Sequence, residues 1–284
     1  MKKITLIYSF LFSLIFMFSC DPIEDREGMG GIVPASDFKL ETYSILVDNV
    51  ASNKIVMKNS TFGVGSFWDY GSGFSSRQQD TVIVPFLGNL PITFTGISNG
   101  GTDTKSQTVQ VDKIVFPVDE TWNLLAGYDA NGKTWMWDFI DPGNVVFGNG
   151  AALVNYGPAW AQNSAASMDT NDPTVGMNGT MTFDLNMKAN FTKKNGSGSV
   201  VETSSFSFDM TKTILSADGV TDWSIGQLNI PDASVMHGIS PPNAPGQPIV
   251  HTYEILKLTE DEMVLAIISP NGWEGWYWKF KVKR

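Results

Sequence analysis

With a single cysteine, Cys20, the chain has no internal disulfide to draw on, and its stability rests on packing. Histidine is nearly as scarce. His237 and His251 lie apart, neither adjoins a serine or cysteine nucleophile motif, and both read as turn and strand residues. No HExxH, no CxxC and no glycine-rich phosphate loop occurs, and the acidic residues carry no paired-carboxylate signature of a glycosidase. The run Asp169-Thr170-Asn171-Asp172 offers closely spaced oxygens, but it lacks the calcium-loop pattern and Pro173 follows at once. A turn with self-capping side chains is the expectation there. Neither catalysis, nor a cofactor, nor a metal is therefore expected.

Positive charge is also in short supply. Nineteen Lys and Arg against 29 Asp and Glu give a net charge of −10 and a pI of about 4.6. Such a surface repels phosphodiester backbones and anionic lipid, so nucleic acid is excluded as a partner and a neutral glycan is favoured over a polyanionic one. No long amphipathic helical stripe appears. The one extended apolar run, Ile4 to Phe18 behind Lys2 and Lys3, is too short to span a bilayer and has the build of a secretory signal.

What is present is β-forming. The composition is 42% hydrophobic and 17% charged, with 27 glycines and 14 prolines to turn the chain between short strands. Alternating or β-branched runs predict strands at 40–47, 54–57, 81–86, 92–97 and 108–115. Beyond a boundary at Pro117-Val118-Asp119-Glu120, strands are predicted at 121–126, 133–139, 144–147, 179–189, 199–210, 212–216, 250–258, 263–268 and 276–282. The expected fold is all-β in two units. Residues 37–117 form a small sandwich, and 118–284 form a larger antiparallel jelly-roll sandwich or a calycin-like barrel, which periodicity does not separate. Gly148 to Asn178 and Val220 to Pro248 are left as long irregular pieces.

Aromatic residues gather between Gly132 and Trp160, among glycines and amides. Trp135 and Trp137 share one face of a strand and make either a stacking platform or a core ladder. Trp160, in a Gly-Pro loop, is the leading candidate for stacking on the apolar face of a sugar, with Tyr156 in the same loop. Asn163 and Asp172, with Asn155 and Gln162, are candidates for hydrogen bonds to sugar hydroxyls. Trp273, in the turn Asn271-Gly-Trp273-Glu-Gly-Trp276, is a candidate for the same rim, whereas Trp122 and Trp278 read as core.

Several stretches resemble known families. Met17-Phe18-Ser19-Cys20 resembles a bacterial lipobox, which implies a signal peptide over 1–19 and diacylation of Cys20. The acidic, glycine-rich tether over 20–36 resembles the export signal of Bacteroidetes surface lipoproteins. Ser66-Phe-Trp68-Asp69-Tyr-Gly-Ser72-Gly73 resembles the signature of PKD domains, Ig-like sandwiches in which the tryptophan is a core residue; Ser72 stands where the family has aspartate. Tyr253 to Ala266 resembles the last hairpin of lipocalin-like domains in Bacteroidetes lipoproteins. Lys133, Trp135, Trp137, Asp138, Gly157, Pro158 and Trp160 are similar to a run in surface glycan-binding lipoproteins of polysaccharide utilisation loci. That resemblance implies a monomeric outer-membrane lipoprotein facing the exterior, which holds a polysaccharide for a SusC/SusD-like importer. Two other readings stay open: a lipocalin-like carrier of a small apolar ligand lined by Trp135 and Trp137, and a structural or adhesive surface protein.

Overall fold

Successive residues of a strand point to opposite faces, and in the first unit the residues of one parity are for the most part the less exposed. The computed structural model describes residues 30–128, 131–240 and 246–284. The expected signal peptide over 1–19, the expected acylation site Cys20, the expected tether as far as residue 29 and residues 241–245 lie outside the described residues. The first strands are β1 (Leu40–Val47), β2 (Val50–Asn59), β3 (Gly65–Asp69), β4 (Phe74–Ser75), β5 (Gln79–Ile83), β6 (Gly88–Ser98) and β7 (Gly101–Val111). They form two antiparallel sheets, in the orders β1-β2-β5 and β4-β3-β6-β7. Ile55, Met57, Trp68, Ile92 and Phe94 fill the space between them. Trp68 is fully buried, lies 4.6 Å from Phe94 between ring centroids, and donates its indole N–H to the Arg77 carbonyl at 3.1 Å.

One predicted strand is a helix. Residues 121–126 fall in α1 (Glu120–Ala126), where the Asp119 carboxylate accepts from the Thr121 N–H at 2.8 Å and Glu120 adds charge to the first turn. Gly127, at φ 68°, ends it. Trp122 projects from α1 onto Phe86 of the sandwich and onto Phe206 and Phe208 of the second unit, at 5.9, 5.9 and 4.5 Å. The two units also share backbone bonds: the Leu87 N–H donates to the Leu185 carbonyl and the Met187 N–H to that of Leu87.

The second unit begins with β8 (Lys133–Trp137), β9 (Val145–Ala151), β10 (Gln162–Ser164), α2 (Met168–Asn171), β11 (Thr180–Asp184) and β12 (Asn190–Lys194). Next come β13 (Val200–Ser205), β14 (Ser207–Asp209), β15 (Ile214–Leu215), β16 (Asp222–Ser224) and β17 (Gly226–Asn229). The chain finishes with β18 (Thr252–Leu258), β19 (Glu262–Ile268) and β20 (Glu274–Val282). The main sheet runs β13-β12-β11-β8-β20-β19-β18-β17-β14, nine antiparallel strands that nearly close into a barrel. Its two ends are consecutive in sequence: residues 200–205 pair with β12 and residues 207–209 pair with β17. One run changes partner at Phe206, and that change brings the sheet round on itself. Of the two architectures open from sequence, the pairing is that of the barrel.

The interior is packed with rings. Trp135, Trp137, Phe183, Phe191, Tyr253, Trp278 and Phe280 are all essentially inaccessible. This corrects the platform reading of Trp135 and Trp137. Their shared face points inward, where Trp137 stacks on Phe280 at 5.0 Å and Trp135 donates to the Leu125 carbonyl at 2.8 Å. A second, smaller core lies outside the sheet, where Trp223 covers Leu256, Val264, Ala266 and Tyr277.

Trp137→Ala removes a ring from this interior and leaves a cavity. It is expected to cost about 3–5 kcal/mol, measured as a lowered urea midpoint.

Candidate functional site

The two exposed indoles sit where β9 meets β20. In that ladder Ala151 opposes Glu274 and Asn149 opposes Trp276, so the loop after β9 and the turn before β20 come together at one rim. Trp160 projects from the loop and Trp273 from the turn, 51% and 60% exposed, with centroids 5.8 Å apart and planes at 41°. The structure thus brings together two of the residues expected to share a rim.

Both indoles stand on fixed backbone. The Asn149 carbonyl accepts from the N–H groups of Ala159 and Trp160, both at 2.9 Å, and the Asn149 N–H donates to the Ala161 carbonyl at 3.1 Å. Its side chain accepts from the Ala161 N–H at 2.7 Å and donates to the Glu274 carboxylate at 2.5 Å. One asparagine therefore ties the Trp160 loop to the residue that follows Trp273. On the turn side, the Asn271 side chain accepts from the N–H groups of Trp273 and Glu274, and the Trp273 carbonyl accepts from the Ala152 N–H at 2.9 Å. Gly148 and Gly150 let the loop approach: a Cβ at Gly148 would lie 1.9 Å from the Ala161 carbonyl oxygen, and one at Gly150 would lie 2.8 Å from the Asn155 side chain.

Tyr156 is in the same loop and half-exposed, but its hydroxyl donates to the Asp222 carbonyl at 3.2 Å, which turns it toward β16. It forms no part of the indole pair. Asn155 likewise serves the loop, accepting from the Ala151 N–H at 2.7 Å.

Asn163 and Asp172 belong to a different feature. Asn163 accepts from Asn171 at 3.0 Å, and Asp172 accepts from the backbone N–H of His237 at 2.9 Å. Asn171 and Asp172 then line a polar cavity of about 330 Å³ with Lys193, Glu202, Ser234 and His237. Lys193 is buried and charged, and its ammonium meets the Glu202 carboxylate at 2.8 Å and donates to the Ser234 hydroxyl at 2.9 Å. Burial lowers the pKa of His237, against the opposing pull of the Asp172 charge. Among the described residues, no group of three or more His, Cys, Asp or Glu side chains is placed to hold a metal ion.

Sequence reasoning missed Asn149 and Glu274, which set the geometry of the pair without belonging to it. The visible signal was Asn149 between two glycines at the end of a strand, a place where another backbone approaches closely.

No protein-family model matches the chain, and no curated protein matches its sequence.

Burial pushes the Glu202 pKa up, but hydrogen bonds from Lys193 and the Ser234 N–H, with the charges of Lys193 and His251, hold it below its ordinary 4.5. A depressed carboxylate contributes stability that is present above the unfolded value and is lost as pH falls through the folded one. The melting-temperature gap between the native chain and Glu202→Gln is therefore expected to be widest above about pH 5 and to shrink on acidification. A gap that ignores pH would assign the loss to packing.

Proposed function

We propose that the protein is a non-catalytic carbohydrate-binding lipoprotein, which holds a neutral polysaccharide against the Trp160 and Trp273 indoles. The observation that carries the reading is the pair itself: two large rings, each about half in water, close enough to engage one ligand and fixed on hydrogen-bonded loops. Exposed indoles stabilise neither a core nor a fold, whereas an indole face stacks well on the C–H face of a pyranose. The 41° tilt suits a curved or twisted chain better than a flat one. Preorganised loops lower the ordering cost of binding. The net charge of −10 leaves an uncharged glycan as the easier partner.

In the same reading, acylation at Cys20 anchors the chain to the outer membrane with its binding face toward the exterior. Many weakly binding copies on one membrane then retain a polymer for a SusC/SusD-like importer without tight binding at any single site. The apolar-ligand reading loses its motivating residues, because Trp135 and Trp137 are packed against other side chains.

Affinity electrophoresis of the full chain through gels containing β-glucan, mannan or xylan tests the proposal. Retardation in one of them is expected. Trp160→Ala and Trp273→Ala should each remove about 1 kcal/mol of aromatic contact, roughly five-fold in affinity, with the melting curve nearly unchanged. A large loss of stability without a binding defect would return both residues to a packing role.

A further inference from the structure

A second pair of exposed rings lies on the sandwich. Asp69 of β3 opposes Phe74 of β4, so Phe67, two residues before Asp69 and on the same face, is a diagonal neighbour of Phe74. The two rings lie 5.4 Å apart, nearly parallel at 22°, and are 41% and 65% exposed. They stand on the outer face of the four-stranded sheet, with the buried Trp68 on the opposite face.

The ground around them is hydroxylic. Phe67 opposes Thr95, which opposes Thr104; in the next row Asp69 opposes Thr93, which opposes Ser106. Thr102 and Thr108 extend the β7 row on the same face, with about 6.8 Å between successive side chains. Among the described side chains that β3, β4, β6 and β7 turn outward, Asp69 alone is charged. In a chain of net charge −10, such a face complements a partner that is itself uncharged. Pro91 and Ile97 of β6 also face outward, but the flat rings and the rows of hydroxyls match the two faces of a sugar: the C–H face that stacks and the hydroxyl rim that exchanges hydrogen bonds. A protein partner docked here would bury the threonine and serine hydroxyls against groups that have to satisfy them one by one.

We infer that the Phe67–Phe74 face is a second binding platform for a neutral polysaccharide, with the sandwich contributing to retention as well as the barrel. The inference takes the ligand class from the proposal for Trp160 and Trp273 but rests on its own residues. The backbone bonds at Leu87 and the rings around Trp122 fix the sandwich to the barrel, so one polymer that reaches both platforms gains by multivalency.

The test is affinity electrophoresis of the full chain against the same β-glucan, mannan and xylan over a range of concentrations. The double variant Phe67→Ser/Phe74→Ser is expected to lose roughly ten-fold in apparent affinity. Trp160→Ala/Trp273→Ala should keep residual retardation that adding the two serine substitutions abolishes. Phe74→Tyr, which keeps the stacking face, should bind as the unaltered chain does, and Phe74→Leu, which keeps only apolar bulk at that position beside an intact Phe67, should lose part of the affinity that the double serine variant loses. Both single substitutions preserve the contact with Phe67, so they separate binding from folding of the short β3–β4 ladder. Unchanged retardation in the serine variant overturns the inference, and so does full binding by Phe74→Leu, which assigns the face to apolar contact with a protein. Loss in the phenylalanine variants with none in the tryptophan variants overturns the first proposal and leaves this one standing. No retardation of the unaltered chain by any of the three overturns both.

Discussion

Everything in the second unit depends on residues 200–209 bonding to two different neighbours. An open sheet leaves a row of unpaired backbone groups at each edge, and those groups recruit further strands. Here the run gives its first half to β12 and its second half to β17, so what would have been two edges are one strand. Phe206 sits at the changeover, buried against Phe183 and Trp122. The nearly closed wall then defines an inside, and the inside takes most of the large rings.

This partition explains the character of the rim. Because packing within the barrel does not involve the loop after β9 or the turn before β20, those segments are free to display side chains that the core has no use for. They are not slack. Asn149 uses its N–H, its carbonyl and both ends of its amide to hold residues 159–161 and Glu274, while the missing side chains of Gly148 and Gly150 clear the path. A hydrogen-bonded frame thus supports rings that are themselves largely in water.

Local pattern carried much of the fold and less of the site. The strand at 40–47 was legible to the residue, because its run is rich in β-forming residues and a turn at Asp48-Asn49 ends it, although a register shift between Ser44 and Leu46 breaks its alternation. The helix at 120–126 was misread as a strand from its threonine, tryptophan and leucines, although Asp119 and Glu120 supplied the cap. The strand at 190–194 was missed, falling between the runs at 179–189 and 199–210, because it carries a lysine at an inward position; Glu202, on the adjacent strand, and Ser234 make Lys193 tolerable there. Period-two spacing correctly put Trp135 and Trp137 on one face, but spacing does not say whether a face meets water or a core. Proximity in sequence likewise grouped Asp172 with Trp160, whereas the chain turns away after β10 and commits Asp172 to a different cavity. The meeting of Trp160 with Trp273 required the β9–β20 register, which is a long-range fact.

The sorting of indoles has an optical consequence. Five of the nine tryptophans, Trp68, Trp135, Trp137, Trp223 and Trp278, are sealed from solvent, while Trp160 and Trp273 are open to it. Sealed indoles emit toward the blue and are invisible to ionic quenchers; open ones emit toward the red and are quenched on contact. The rim is therefore a separable fluorophore within the protein's own emission, and whatever covers it changes the colour and the iodide sensitivity of that component without disturbing the rest.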